Sequence, residues 1–227
     1  MSNQRARMRK ERADGVRTRK AILAEAVSLA TVEGLEGLSI GGLAKATGIS
    51  KSGLYAHFGS KQELQLATID EAERIFDGEV IHPSTAAPEG LDQLVALCDL
   101  FFDHLRRRVF PGGCFFASAI LEMGTRPGPV KERVGQFQQR LLSRMFSLAA
   151  RAQDLGQLAS GEDLVLLVFE LNGIVLAANA SFVMTDDAAV LEVARRAVRR
   201  RLGLPEHFTW EGRRIVDLRL QEKARNQ

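Results

Sequence analysis

Five side chains within eleven positions, Lys51, Ser52, Tyr55, His57 and Lys61, bring an ammonium, a hydroxyl, a phenol, an imidazole and a second ammonium close together along the chain. No carboxylate stands among the first four, so the set is poor in acid–base pairs and rich in donors. Donors of this kind suit phosphate oxygens and the edges of bases. Lys51, Ser52 and Tyr55 share one face of a helix, and Gly53 and Ala56 between them are small enough for that face to approach a rigid surface. Near a helix N-terminus the orphan backbone N–H groups add to the same supply of donors. Leu54 and Phe58, four residues apart, lie on the other side and can enter a small core together with Ile49.

Three short elements must hold that face outward. The spacing predicts a helix over Lys51–Phe58 capped by Ser50, preceded by one over Ile40–Thr47 capped by Ser39, with Ile40, Leu43 and Ala44 turned inward. Gly48 separates the two, because glycine takes a positive φ without steric cost. Upstream, Ile22, Ala26, Leu29 and Ala30, broadened by Leu23 and Val27, predict an amphipathic helix from Thr18 that Gly34 and Gly37 end. Downstream, Ser60-Lys61-Gln62-Glu63 reads as a capping box that starts a fourth helix at once and leaves Lys61 placed for a phosphate.

Thr18-Arg19, Ile22, Ala26, Gly34, Ser39-Ile40, Leu43-Ala44, Gly48-Ile49-Ser50, Gly53-Leu54-Tyr55, His57-Phe58, Lys61 and Leu64 form a spaced set that resembles the TetR family of bacterial one-component transcriptional regulators. The resemblance covers Thr18 to Leu64. It implies DNA contacts from Ser39, Ser50, Lys51, Ser52, Gly53, Tyr55, His57 and Lys61, the tyrosine, histidine and lysine acting largely on phosphates; Thr18 joins them as an expected contact. Ala56 departs from the commonest family pattern, which has an aromatic or long polar residue there, and so shifts base reading to Lys51 and Ser52.

The net charge of +3 is modest but unevenly spread. Arg5, Arg7, Arg9, Lys10, Arg12, Arg17, Arg19 and Lys20 crowd the N-terminus against only Glu11 and Asp14. Residues 1–16 are read as a flexible basic arm that neutralises phosphates and makes binding salt-dependent. No apolar run follows these charges, so the reading is cytoplasmic. Cys98 and Cys114 make no disulfide framework, and the four histidines do not pair with cysteines at zinc-site intervals. No cofactor, metal or catalytic residue is expected: there is no Ser-His-Asp order, paired His-Glu motif or glycine-rich phosphate loop after a strand. Cys114, flanked by Gly113 and two phenylalanines, reads as a small hydrophobe before it reads as a redox sensor.

Beyond the reader, helix signals continue and strand signals are lacking. The fourth helix is predicted from Ser60 to about Glu79 and is broken by the run His82 to Pro88; others follow over Leu91–Val109, after Pro111-Gly-Gly, and from Pro129 to about Gln153. The run from Glu162 to Met184 is apolar on nearly every face. Glu170, Asn172 and Asn179 interrupt it and no positive cluster flanks it closely, so it reads as a helix with a core on one face and a partner on the other, not as a membrane span. Thr185 is expected to cap a last helix, Asp186–Leu202, with Arg195, Arg196, Arg199 and Arg200 opposite its apolar stripe. These two helices read as a dimerisation pair, which the family resemblance also implies.

The expected protein is all-α: an N-terminal three-helix helix-turn-helix DNA-binding domain (17–62) plus a C-terminal helical bundle for ligand binding and dimerisation (63–203), with a tail from 204 to 227. Its expected partners are double-stranded operator DNA, a second copy of itself and a small apolar or amphipathic effector. Candidate effector contacts are Phe101, Phe102, Phe116, Phe137, Met145, Phe169, Asn172 and Asn179, the two asparagines facing either the pocket or the dimer seam. The competing readings are an enzyme with an apolar bundle as active site and a nonspecific architectural DNA-binding protein.

Overall fold

The computed structural model describes residues 2–205, with side chains from residue 15 onward. Within these residues all regular structure is helical. The chain forms two compact units: the first takes residues up to Arg74 together with Phe110–Gln136, the second Ile75–Val109 and the chain from Phe137. A segment from the middle of the chain, Phe110–Gln136, thus packs with the N-terminal helices.

The first unit opens with α1 (Ser2–Glu33). The basic segment is helical backbone continuous with the amphipathic helix; four arginines and two alanines, good helix formers, populate it, and it lacks proline. Ile22, Ala26, Val27 and Ala30 are buried, while Leu23 and Leu29 are half-buried. Next come α2 (Ile40–Thr47) and α3 (Lys51–Phe58), each starting and ending where the serine caps and glycines place them. Gly48, at φ +70°, returns its N–H to the carbonyl of Ala44 and closes α2. Leu43, Leu54 and Phe58 fill the core they make with α1. Ser60 accepts from the N–H of Glu63 and so caps α4 (Lys61–Phe76) instead of belonging to it.

The mid-chain segment returns to this core. Gly112 donates its N–H to Thr31 Oγ1 at 3.1 Å, and a Cβ at Gly112 would lie 1.8 Å from the Thr31 carbonyl oxygen, so no other residue fits that approach. Then α7 (Phe115–Met123) carries Glu122, whose carboxylate accepts from the backbone N–H groups of Leu35 (2.8 Å) and Glu36 (2.7 Å) in the turn before α2. Phe115 and Phe116 meet edge to face at 5.2 Å in this unit. The beginning of α8 (Pro129–Asp154) adds Arg133, which pairs with Asp70 and Glu73 of α4.

In the second unit α4 passes into a π-helical turn, Asp77–Ile81, and a further turn, α5 (His82–Ser84), so the expected break at His82 falls at Thr85. Pro83 occupies the first turn of α5, where its missing N–H costs nothing. The central helix is α6 (Leu91–Arg106), buried along nearly its whole length, and α9 (Leu164–Thr185) and α10 (Ala189–Arg201) pack against it and each other. Arg195 and Arg199, expected on a solvated face, are instead 3% and 2% exposed. Asp99 and Asp103, one turn apart on α6, face them. Arg195 donates to Asp99 Oδ1 and Asp103 Oδ1, both at 2.7 Å, and Arg199 donates to Asp99 Oδ2 at 2.9 Å. The Arg195 guanidinium also lies over the Phe102 ring, 5.4 Å from its centroid. Thr185 ends α9 instead of capping α10: Asp186 turns the chain at φ +56° and the Asp187 carboxylate accepts from Ala189 N–H. The expected tail beyond 205 lies outside the described residues.

Candidate functional site

The outer face of α3 is open. Lys51, Ser52, Tyr55 and Ala56 are exposed, Tyr55 at 53%, and Gly53 and His57 are half-buried. Ser50 Oγ accepts from Gly53 N–H at 3.1 Å and lies 3.1 Å from Ser52 Oγ, which fixes the start of the helix. A Cβ at position 53 would lie 3.1 Å from Ile49 Cγ2 and 3.2 Å from Ser50 Oγ, so any larger residue presses on the cap. The cap engages one of the first-turn donors; the N–H groups before it remain available at the positive end of the helix. Ser39, at the exposed start of α2, caps through Gly42 N–H, and Thr18 is exposed on α1.

Two basic residues hold the reader as well as decorating it. Arg19 donates to the carbonyl of His57 at 2.6 Å and stacks on Phe58 at 4.5 Å, fastening α1 to the end of α3. Lys61 donates to the Glu36 carbonyl at 2.6 Å and to its carboxylate at 2.9 Å. Hydrogen bonds from Lys61 and then from Gln65 hold the Glu36 carboxyl below the usual carboxylate range. Neither anchoring role is legible in the sequence, nor is that of Glu122, whose oxygens serve amides more than eighty residues away.

The second unit contains two adjoining cavities. A small void of about 20 Å³ is walled by Phe76, Val80, Leu97, Cys98, Phe101, Leu141, Met145, Asn172 and Val175. An open groove of about 480 Å³ is bordered by Leu142, Ser143, Phe146 and Ser147 of α8 and by Val165, Val168, Phe169 and Asn172 of α9. Of the expected effector contacts, Phe101 and Met145 line the void, Phe169 lines the groove, and Asn172 lines both. Phe137 is buried edge-on to Phe76 at 5.4 Å, and Phe102 is buried beneath Arg195. Asn179 is buried but lines neither cavity, and Phe116 belongs to the other unit. Glu170 pairs with Arg201 of α10, away from the side of α9 on which Asn172 sits. No sequence signal separates a void-lining Leu97 or Val175 from a packed one.

Chemistry on bonds finds no support among the described residues. No group of three or more His, Cys, Asp or Glu could hold a metal there. Burial pushes the Cys98 thiol up to about 12 and the Cys114 thiol up to about 11, so both stay protonated and unreactive at neutral pH. Helix α9 is long and apolar enough to cross a membrane by composition, with a third of its most apolar stretch buried inside the protein.

A capped helix presenting donors and small residues outward, braced by two others in a helix-turn-helix, defines a DNA-binding protein. Residues 22–68 match the profile of the bacterial regulatory proteins of the tetR family, and residues 90–198 match that of the tetracyclin repressor-like C-terminal domain. Together the two matches span more than half of the chain, which belongs to the TetR family: it is a DNA-binding transcriptional regulator and not an enzyme. A TetR transcriptional regulator from Chloroflexus aurantiacus superposes with a TM-score of 0.75 at 24% identity, over 84% of this chain and 96% of that one. A TetR-family regulator from Streptomyces coelicolor gives 0.69 at 25% identity, over 81% and 88%. AibR, solved in complex with isovaleryl coenzyme A and operator DNA, gives 0.66 at 22% identity, over 80% and 96%. No curated protein sequence matches.

Proposed function

We propose that this protein is a homodimeric, cytoplasmic repressor that binds a palindromic operator and leaves it when a small apolar or amphipathic molecule occupies the second unit. The observation that carries the DNA half is the exposed, doubly anchored face of α3. Lys51 and Ser52 read bases; Tyr55, His57, Lys61, Thr18 and the hydroxyls of Ser39 and Ser50 hold phosphates, and Gly53, with no side chain, lets the DNA come close. The solved complex of AibR with operator DNA and an acyl thioester supports the pairing of these two ligands in one fold. The domains on this reading are the reader, 17–62, preceded by the basic segment 1–16 and packed with the mid-chain segment 110–136, and the effector and dimerisation domain, which takes the rest of 63–203.

A second copy is supported by the outer side of α9. Gly173, Ala177, Ala180 and Met184 are exposed at helical spacing, Met184 at 84%, beyond the groove that Val165 and Phe169 border. An apolar stripe of this length on one helix calls for a partner, and a two-fold assembly supplies two reading helices to two half-sites. Ligand must then favour a head spacing that mismatches the operator, and by linkage the operator weakens ligand by the same factor.

Selection of genomic fragments by the purified protein tests this reading. Enrichment of one inverted-repeat site, bound by dimers in sedimentation, is the expected result. Equal affinity for selected and random DNA at fixed salt would instead mark a nonspecific architectural protein.

A further inference from the structure

We infer that the second unit takes an uncharged amphipathic molecule, its apolar chain entering beside Phe76, Phe101 and Met145 and its amide, ester or hydroxyl group held at Asn172. This rests on the regulator reading above and names the chemistry of its effector. Asn172 is the one residue that lines both the inner void and the outer groove. A molecule passing from one to the other must meet its amide.

The lining decides the class. No Lys, Arg, His, Asp or Glu borders either cavity; the polar groups are Asn172, the hydroxyls of Ser143 and Ser147, and the Cys98 thiol. An anion drawn to the mouth of the void finds no cation to offset its desolvation, and a cation finds no carboxylate, so the site favours a neutral dipole over a charge. The void takes about one water by volume, yet offers it only the Asn172 amide and a thiol, fewer good partners than an ordered water holds. A carbon chain therefore displaces little that is bound. Room for it comes from Met145, an unbranched thioether that changes rotamer readily. Asn172 is itself loosely committed: its Oδ1 accepts from Gln138 Nε2 at 3.4 Å, a long bond that a ligand dipole can replace.

Calorimetry on the full-length protein with hexanamide and with hexanoate, matched in length and different in charge, tests the inference. Hexanamide should bind saturably at one site per chain, and hexanoate about tenfold more weakly or worse. Asn172→Leu should weaken hexanamide by about tenfold. Val175→Phe, which fills the void, should abolish binding; Leu97→Phe fills it from α6 and replaces the first variant if that one does not fold. Equal binding of hexanoate, survival of hexanamide binding in the folded void-filled variant, or no saturable hexanamide binding up to its solubility limit would overturn the inference. Binding of the selected DNA fragment without any amide is measured alongside. Its failure removes the regulator reading, whereas intact DNA binding with no amide site removes only this one.

Discussion

Replacing Asp99 by alanine should unfold the second unit far more easily than any surface substitution. Asp99 is 2% exposed and bonds both Arg195 and Arg199, which are equally enclosed. At an effective dielectric of 20, opposite charges 2.7 Å apart attract by about 6 kcal/mol, and removing each ion from water costs several kcal/mol, so the intact cluster adds little net stability. Its loss is another matter. Without the carboxylate Arg195 keeps Asp103 and Glu192, whereas Arg199 loses its two bonds to Asp99, and keeping that charge buried without them costs about 3–5 kcal/mol. In a chain of this size that lowers Tm by roughly 6–20 °C. The assay is thermal and urea unfolding at fixed protein concentration, since association of copies would itself move the midpoint. Because the cluster is buried, the effect should persist in 1 M salt, where the Debye length is about 3 Å. A fourfold variant, Asp99→Leu with Asp103→Leu, Arg195→Met and Arg199→Met, should lose less than Asp99→Ala alone. The reasoning is refuted if Asp99→Ala stays within about 1 kcal/mol of the parent, or if the apolar variant is the worse of the two.

The remaining expectations concern the reader, one close approach and one histidine. Tyr55→Ala with Lys61→Ala should leave the helical circular dichroism intact, weaken operator binding, and flatten the slope of log K against log salt by about 0.9 for each phosphate no longer neutralised; a folded variant with parental affinity would misplace the DNA-binding face. Gly112→Ala should destabilise the first unit, because its Cβ collides with the Thr31 backbone, whereas Gly135→Ala, open on all sides within α8, should stabilise by about 0.5–1 kcal/mol in a urea melt. Burial, and then the Arg107 charge, hold His104 down at about 4. The unfolded chain thus binds its proton first as pH falls, so the neutral histidine's contribution is whole above about 6.5 and is lost toward 4, by about 3 kcal/mol. His104→Leu should remove that share of the acid sensitivity, and an unchanged difference between pH 7 and pH 4.5 would show that His104 does not cause it.

Where structure depends on neighbours in sequence, the residues announce it. Ser39, Gly48 and Ser50 bound α2 and α3 because caps and a left-handed glycine act within three or four positions. Arg195 and Arg199 mislead because arginine on an amphipathic helix is ordinarily solvated. The signal that could place them is the matching four-residue interval of Asp99 and Asp103 in a stretch, Leu94–Asp103, that is otherwise apolar, two complementary pairs with nowhere else to go. Glu122 leaves no such trace, since its partners are backbone amides that any sequence supplies. The expected break after the fourth helix comes too early because Pro83 reads as a stop when it stands in a first turn. Of the cavities, Phe101, Met145, Phe169 and Asn172 are reachable from composition and periodicity; which apolar residues leave space between them depends on rotamers, and periodicity carries no rotamers.

The carboxylate of Glu122 sets a rule for anyone grafting this reader onto another sensor. A transplant cut at residue 62 would leave the Leu35 and Glu36 amides without their acceptor and Thr31 without Gly112, and the turn that aims α2 and α3 would lose its brace. A transferable cassette therefore comes in two pieces, the N-terminal helices and the excursion from Phe110 to Gln136, and a working hybrid must exchange both at once.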